Sequence, residues 1–347
     1  MDKEGKSAPV WLVRAGRGGE DEETALTEGL AIIGFRDVGD LRAYATLDDL
    51  TEALLATDPT GSQSRVTNLA RQLWAFREGM KVGDIVVLPL KSQPGQIALG
   101  RVTGDYEFRQ VGDRQRHVRR VKWERPDVLR STFRQDLLYS FGAFMTVCRI
   151  SRNDAECRVA AVLAGKPDPG PGPSIVNGVG EPVERADIAQ AAHDEIVNFV
   201  RTRFAGHNLA ILVAAALEAE GFRTTVSSPG PDGGVDILAG HGPLGLDAPL
   251  LCVQVKATQG QTDVNVFRAL QGAMSSFSAT QGLLVSWGGF TQAVRREARQ
   301  HAFKVSLWDQ TDLVQAIYRT YPRLSPEIQA ELPLKRIWVL VHEEDTP

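Results

Sequence analysis

Cysteine is scarce: Cys148, Cys157 and Cys252 are the only three in 347 residues. They are too scattered for a disulfide framework, and no Cys-x-x-Cys or His-rich spacing offers a zinc site, so reduced, buried thiols are expected. No apolar run approaches the about 20 residues a membrane-spanning helix needs. Met1-Asp2-Lys3-Glu4-Gly5-Lys6 lacks a signal-peptide pattern, so the expected location is cytoplasmic, without membrane contact. A net charge of -4 leaves no general basic footprint. Gly16-Arg17-Gly18-Gly19 lacks the Gly-Lys-Ser/Thr ending of a phosphate loop and runs into Glu20-Asp21-Glu22-Glu23, which would repel phosphate. Ser286-Trp287-Gly288-Gly289 is no Gly-x-Ser-x-Gly elbow, so serine hydrolase chemistry has no support.

The length exceeds that of one ordinary domain. Lys166-Pro167-Asp168-Pro169-Gly170-Pro171-Gly172-Pro173-Ser174 suits neither a helix nor a central strand and reads as a semi-rigid linker. The expected division is therefore a first domain over 1–165, a linker over 166–186 and a second domain over 187–347. A leading helix should open the second domain, with Ile188, Ala191, Ala192, Ile196, Phe199 and Val200 on its apolar side.

The most informative pattern lies in the second domain. Gly233-Gly234-Val235-Asp236-Ile237-Leu238 and Leu250-Leu251-Cys252-Val253-Gln254-Val255-Lys256 read as adjacent strands, and the period of two puts Cys252, Gln254 and Lys256 on one face. A lysine in such a strand needs an anion, for which Asp236 is the nearest candidate. Carboxylate and amide oxygens are hard ligands for Mg²⁺, and a lysine beside them can orient or deprotonate a water and stabilise charge on a phosphate. Asp232 sits among glycines and prolines and is expected to cap a turn, leaving Asp236 as the ligand. Around these strands the pattern predicts helix 209–220, strand 222–226, helix 264–274, strand 282–287, helix 292–301, strand 304–308 and helix 312–318.

This α-β-β-β-α-β order, with the acid and the Gln-x-Lys, resembles the Mrr-type restriction endonucleases of the PD-(D/E)xK superfamily, from about Ala205 to Tyr321. The resemblance implies a restriction-endonuclease-like domain acting as a Mg²⁺-dependent DNA nuclease, with Mn²⁺ as the alternative cation. Asp236, Gln254 and Lys256 would form its site, the Val255 carbonyl would be a further metal ligand, and Gln271 a companion on the following helix. Two departures stand out: Gln254 is neutral where many relatives carry Glu, and the first helix has Ala210-Ile211 where many carry an acid. His207, near the start of that helix, is the candidate substitute for orienting water; a capping or surface histidine is the plainer alternative.

The first domain reads as mixed α/β, with strands over 10–15, 30–35, 84–90 and 97–102 and helices over 47–56 and 66–76. Ten Lys/Arg stand against five Asp/Glu between Arg101 and Arg134. Arg116, Arg119 and Arg120 in this stretch are candidates for phosphate contact, a solvated hairpin face being the bland alternative. Val82-Gly83-Asp84-Ile85-Val86-Val87 with Gly100-Arg101-Val102 resembles the barrel of PUA-like domains, and the opening Trp-x-Val-Arg with Ile33-Gly34-Phe35 resembles their EVE-like branch. That resemblance implies an aromatic pocket for a flipped, modified base, with Phe35, Trp74 and Tyr139 as candidate walls beside the ordinary core-packing reading.

The combined expectation is an α/β chain of two domains, a PUA-like reader and an Mrr-like nuclease, restricting modified double-stranded DNA as a homodimer. Two rivals are a non-catalytic nucleic-acid-binding module on a relic nuclease fold, and a nuclease gated by a small ligand or protein at the first domain.

Overall fold

The computed structural model describes residues 8–16, 18–35, 38–57, 63–93, 95–143, 145–171, 188–228 and 234–338. Pro231-Asp232-Gly233, the linker beyond Pro171 and the acidic tail at Glu343, Glu344 and Asp345 lie outside the described residues. The chain divides between Asp194 and Glu195 into two compact units, each with its own sheet.

Unit 1 runs β1 (Val10–Val13), α1 (Glu22–Glu28), β2 (Leu30–Ile33), α2 (Leu47–Thr57), α3 (Gln63–Trp74), β3 (Ile85–Leu90), β4 (Gln96–Val111), β5 (Arg114–Leu129), α4 (Gln135–Phe141), β6 (Val147–Ile150) and α5 (Ala155–Leu163). Its six strands lie in the order β2-β5-β4-β3-β1-β6, with β1 parallel to β3 and the other pairs antiparallel. The strand expected over 97–102 is the first third of a 16-residue arm. Its register shifts at Ile97/Leu99, Leu99/Gly100 and Val102/Tyr106 let the β4–β5 hairpin bend while staying paired. Alternation along β1 sends Val10 and Leu12 to one core with Leu137, Phe141 and Val159, and Trp11 and Val13 to another with Leu50, Leu73 and Phe76.

The start of the proline-rich stretch is tied into unit 1. Arg158 is fully buried and pairs with Asp168 at 2.6 Å and Asp136 at 2.6 Å. The Asp168 carboxylate also accepts from the Arg134 and Gly170 amides. A buried guanidinium needs this many acceptors, and the pairing fixes the chain as far as Gly170.

The helix α6 (Ile188–Arg203) contains the division point. Unit 2 continues with α7 (His207–Ala219), β7 (Arg223–Val226), β8 (Ile237–His241), β9 (Asp247–Lys256), α8 (Val264–Ser276), β10 (Gln281–Ser286), α9 (Gln292–Gln300), β11 (Val305–Trp308), α10 (Gln310–Thr320) and α11 (Pro326–Glu331). The sheet order is β11-β10-β9-β8-β7; β9, β10 and β11 are parallel, while β7, β8 and β9 are antiparallel neighbours. Helices cover both faces, as near-continuous apolar strands such as Leu283-Leu284-Val285 require. One face packs Leu251, Val253, Ile237 and Ala239 against α7 and α10; the other packs Cys252 and Leu284 against α8 and α9. No helix among the described residues is long and apolar enough to cross a membrane.

Candidate active site

The site is built where β8 begins and β9 ends. Along β9, Leu251 and Val253 face α7 and α10 and Cys252 faces α8, so the period of two carries Gln254 and Lys256 to the α8/α9 face. The ladder pairs Ile237 with Val253 and Leu238 with Cys252, which brings Asp236 opposite Gln254. Asp236 lies in the bend just before β8, not inside the strand as the sequence pattern suggested. Alternation breaks there, because Val235 and Leu238 both join the α8/α9 core.

The break has a physical cause. The Asp236 amide donates to the Val253 carbonyl at 2.9 Å and its own carbonyl accepts from Ser227 at 2.9 Å, so the backbone stays paired on both sides. Its carboxylate turns along the strand edge and accepts from the Val255 amide at 2.7 Å. That amide stands beyond the last β8 partner and would otherwise lack an acceptor. Asp236 is thereby held at the backbone between Gln254 and Lys256.

This arrangement corrects one expectation: Asp236 is not the ion-pair partner of Lys256. Among the described residues no carboxylate lies within 4.0 Å of the Lys256 ammonium, and the side chain is only half-buried, so the strand does not enclose an unpaired charge. Lys256 pairs in register with Ser286 of β10. Behind it, the buried Ser286 hydroxyl donates to the Gly289 carbonyl at 2.8 Å and lies 2.7 Å from the Thr262 hydroxyl. The sequence set Ser286 aside as lacking a Gly-x-Ser-x-Gly elbow and passed over Thr262; the available signal was position, at the carboxyl end of a parallel strand beside the Gln-x-Lys strand.

Gln254 is the unusual group. It is 5 % exposed, and its Oε1 is buried with no hydrogen-bond partner among the described residues. Gly234, at φ +82°, crosses it closely enough that a Cβ would stand 3.6 Å from the Gln254 Nε2. A buried amide oxygen without a donor is costly, by about 1–3 kcal/mol, unless something outside the protein satisfies it. The Val255 carbonyl leaves the strand on the same edge as its amide, toward the Asp236 side. One carboxylate, one orphaned amide oxygen and one main-chain carbonyl form a hard-oxygen donor set, which fits Mg²⁺ or Mn²⁺. No cluster of three or more His, Cys, Asp or Glu side chains suited to a metal occurs among the described residues, so the donor set rests on one carboxylate with amide and main-chain oxygens.

Other candidates lie elsewhere. Gln271 lines a cavity of about 420 Å³ with Thr280, His301 and Lys304, where β10 and β11 start. β10 climbs about 16 Å from that end to Ser286, so Gln271 is no companion of Lys256. Its error was one of length, since a helix returning antiparallel to its strand carries its second half away from the strand's end. His207 opens α7, which covers the opposite face from Gln254, and makes no hydrogen bond to a described residue.

In unit 1, Arg116 and Arg119 are buried, which overturns the phosphate-contact expectation for both. Arg116 pairs with Asp21 at 3.2 Å. Arg119 donates to the carbonyls of Phe76 at 2.6 Å, Gly104 at 3.2 Å and Arg77. Arg120 is exposed and pairs with Glu107 at 2.9 Å. Composition counted these arginines alike, but a β-bulged arm points some inward, where their forks bind Asp21 and the carbonyls of Phe76, Arg77 and Gly104.

Phe35 and Trp74 pack half-buried against the α2/α3 core, whereas Tyr139 is 44 % exposed on α4, whose buried residues serve the other core. Tyr139 therefore does not share an enclosure with Phe35 and Trp74. Near Phe35, the Tyr106 hydroxyl lies 2.8 Å from His117 Nδ1 and accepts from the Leu41 amide at 3.1 Å, while His117 Nε2 lies 3.2 Å from the Val38 carbonyl. Burial pushes Tyr106 up to about 12 and His117 down, keeping both neutral near pH 7.

Comparison with known proteins places these sites in context. Residues 201–317 match the catalytic-domain family described as restriction endonuclease, and residues 11–135 match a domain of unknown function. No curated protein matches. Among solved structures, similarity is found to the DNA modification-dependent restriction endonuclease AspBHI, at 13 % identity over 88 % of this chain and 79 % of that one, TM-score 0.33. MspJI restriction endonuclease, solved in complex with a 27-mer oligonucleotide, is similar at 14 % identity over 93 % of this chain and 79 % of that one, also at TM-score 0.33. The family match spans residues 201–317, and the order of elements observed there is the one expected from the resemblance to Mrr-type restriction endonucleases.

Proposed function

We propose that the chain is a metal-dependent DNA endonuclease that hydrolyses phosphodiester bonds in duplex DNA, with its site at Asp236, Gln254, Val255 and Lys256. The observation that carries this reading is the buried Gln254 Oε1, without a hydrogen-bond partner among the described residues, two residues before Lys256 and beside a carboxylate held at the Val255 amide. Asp236, Gln254 and the Val255 carbonyl would hold Mg²⁺ or Mn²⁺. A bound cation there supplies charge neutralisation at a phosphate and a more acidic water.

The chain's own groups do the remaining work. The Val255 amide fixes the Asp236 carboxylate, so its second oxygen is presented without rotamer freedom. Gly234 passes beside Gln254, where a Cβ would stand 3.6 Å from its Nε2, so the missing side chain leaves that amide room. Lys256, backed by Ser286 on the next strand, is placed to orient the attacking water or to stabilise charge building on the phosphate. One such site cuts one strand, so a double-strand break calls for two copies, and a homodimer suits duplex symmetry.

The wider reading is a modification-dependent restriction enzyme acting in phage defence, in which unit 1 reads the modification. The half-buried aromatics Phe35 and Trp74, placed against one core, support a base-stacking surface there. Modified and unmodified duplexes incubated with Mg²⁺, beside Asp236→Ala and Lys256→Ala, test both levels. Cleavage that both substitutions abolish while circular dichroism stays unchanged is expected. Cleavage that survives either substitution refutes the site; equal cleavage of the two duplexes refutes the reader.

A further inference from the structure

α9 carries Arg295, Arg296 and Arg299, with Lys304 following in the turn before β11. It buries only Val294 and Ala298 against the sheet and turns a strongly polar face outward. The helix has one acid, Glu297, and Arg268 of α8 already neutralises it through two hydrogen bonds of 2.9 and 2.8 Å. Arg268 holds the Glu297 carboxyl below its ordinary range, so it stays ionised and engaged with that partner. Arg295 is half-buried, 3.8 Å from Asp309 and over the Phe290 ring. Arg296, Arg299 and Lys304 remain: all three are exposed, and none makes an ion pair with a described residue.

Their placement gives these charges a direction. α9 covers the same sheet face that carries Gln254 and Lys256. It starts at Thr291, directly after Phe290, which bridges Thr262 at the Ser286 end of β10. From there the helix leads away from the catalytic end, and Arg296 and Arg299 stand three residues apart on one side of it. Three exposed cations along α9 and the turn that follows it, none paired with a described residue, suit a polyanion on a chain of net charge -4.

We propose that Arg296, Arg299 and Lys304 form a backbone-phosphate track along which duplex DNA runs away from the cutting site on unit 2. This rests on the nuclease reading above and adds to it the surface that positions substrate. The track reads no sequence, because exposed point charges meet phosphates and not base edges. Its contribution is electrostatic and therefore salt-dependent.

The experiment uses the full chain, a fluorescent unmodified duplex of about 30 base pairs in EDTA, and fluorescence anisotropy across a range of salt concentrations, the duplex length being an estimate of one binding footprint. The slope of log Kobs against log salt should become shallower by about 2–3 in the combined Arg296→Ala, Arg299→Ala, Lys304→Ala variant, each lost phosphate contact removing about 0.9. The combined Arg296→Lys, Arg299→Lys variant keeps the charges and should keep the slope. Alanine is a good helix former, and unchanged circular dichroism shows that α9 persists. An unchanged slope in the alanine variant overturns the track and leaves the face to an acidic protein partner; a wild-type chain with no salt-dependent binding overturns it as well. Lys256→Ala removes one cation at the scissile phosphate, so it should lose Mg²⁺-dependent cleavage while making the slope shallower by no more than about 0.9, roughly a third of the change expected of the track variant, so a failed track and a failed active site give different results.

Discussion

Gln254→Glu tests the central geometry most directly. The substitution replaces an amide by a carboxylate of nearly the same shape at a position 5 % exposed, with no donor at Oε1 and the Asp236 carboxylate at the adjoining residue. Burial and a neighbouring like charge both raise the introduced carboxyl's pKa above its unfolded value of about 4.3. A rise of about two units corresponds to about 2.7 kcal/mol of lost stability at neutral pH. The sign follows from linkage. The folded state holds the proton longer, so the penalty is absent below about pH 4.3 and grows as pH rises through the raised folded value. A divalent cation bound by the folded state only should reverse it, since about a hundredfold excess over Kd returns about 2.7 kcal/mol. Hydrogen exchange at the β9 amides reports unit 2 alone: protection should fall in EDTA at pH 7.5 and recover with Mg²⁺, by more than in the wild-type chain. A destabilised variant that Mg²⁺ does not restore would mean that Asp236, Gln254 and Val255 do not converge on a cation. Unaltered protection in EDTA would mean that Gln254 is not enclosed.

Other outcomes follow from the same structure. Arg158→Ala should destabilise unit 1 by about 3–5 kcal/mol in urea unfolding, because it leaves the Asp136 and Asp168 carboxylates facing one another without their cation; a loss below 1 kcal/mol, as an order of magnitude, would contradict the buried pairing. Burial lowers the His117 pKa, so the stability from its neutral form is present above about pH 6.5 and is lost as pH falls through the lower folded value. His117→Gln should therefore flatten the thermal midpoint of unit 1 between pH 6.5 and 5; an unchanged pH profile would count against it. Arg119→Ala should lower the unit 1 midpoint by orphaning carbonyls of Phe76, Arg77 and Gly104, while Arg120→Ala leaves it in place. Equal effects of the two would refute the inward and outward assignment along β5.

Legibility differed by element. Helices α7, α8 and α10 were readable from apolar spacing because each must cover a sheet face over three turns or so. β9 and β10 were readable because their buried runs are short and bounded by turn residues. β8 was placed early: Gly234, Val235 and Asp236 look like strand, but the pairing of the Asp236 carboxylate with the Val255 amide moves the strand's start to Ile237. The length of the β4–β5 hairpin was hidden, since bulges interrupt the alternation that would have revealed it. Gln271 illustrates a further limit, as sequence proximity to a strand says nothing about which end of that strand a returning helix approaches.

The amino-acid order alone determined that Gln254 and Lys256 share a face, that an acid precedes them on the neighbouring strand, and that helices flank both, because side-chain period and turn chemistry are local properties of the chain. Only the tertiary structure decided that Asp236 binds the Val255 amide and not Lys256, that the Gln254 oxygen is enclosed without a donor among the described residues, and that Arg116 and Arg119 face inward while Arg296 and Arg299 are exposed. Those outcomes depend on which groups from distant segments meet and compete for the same hydrogen bonds, and such competition has no signature in any single stretch of sequence.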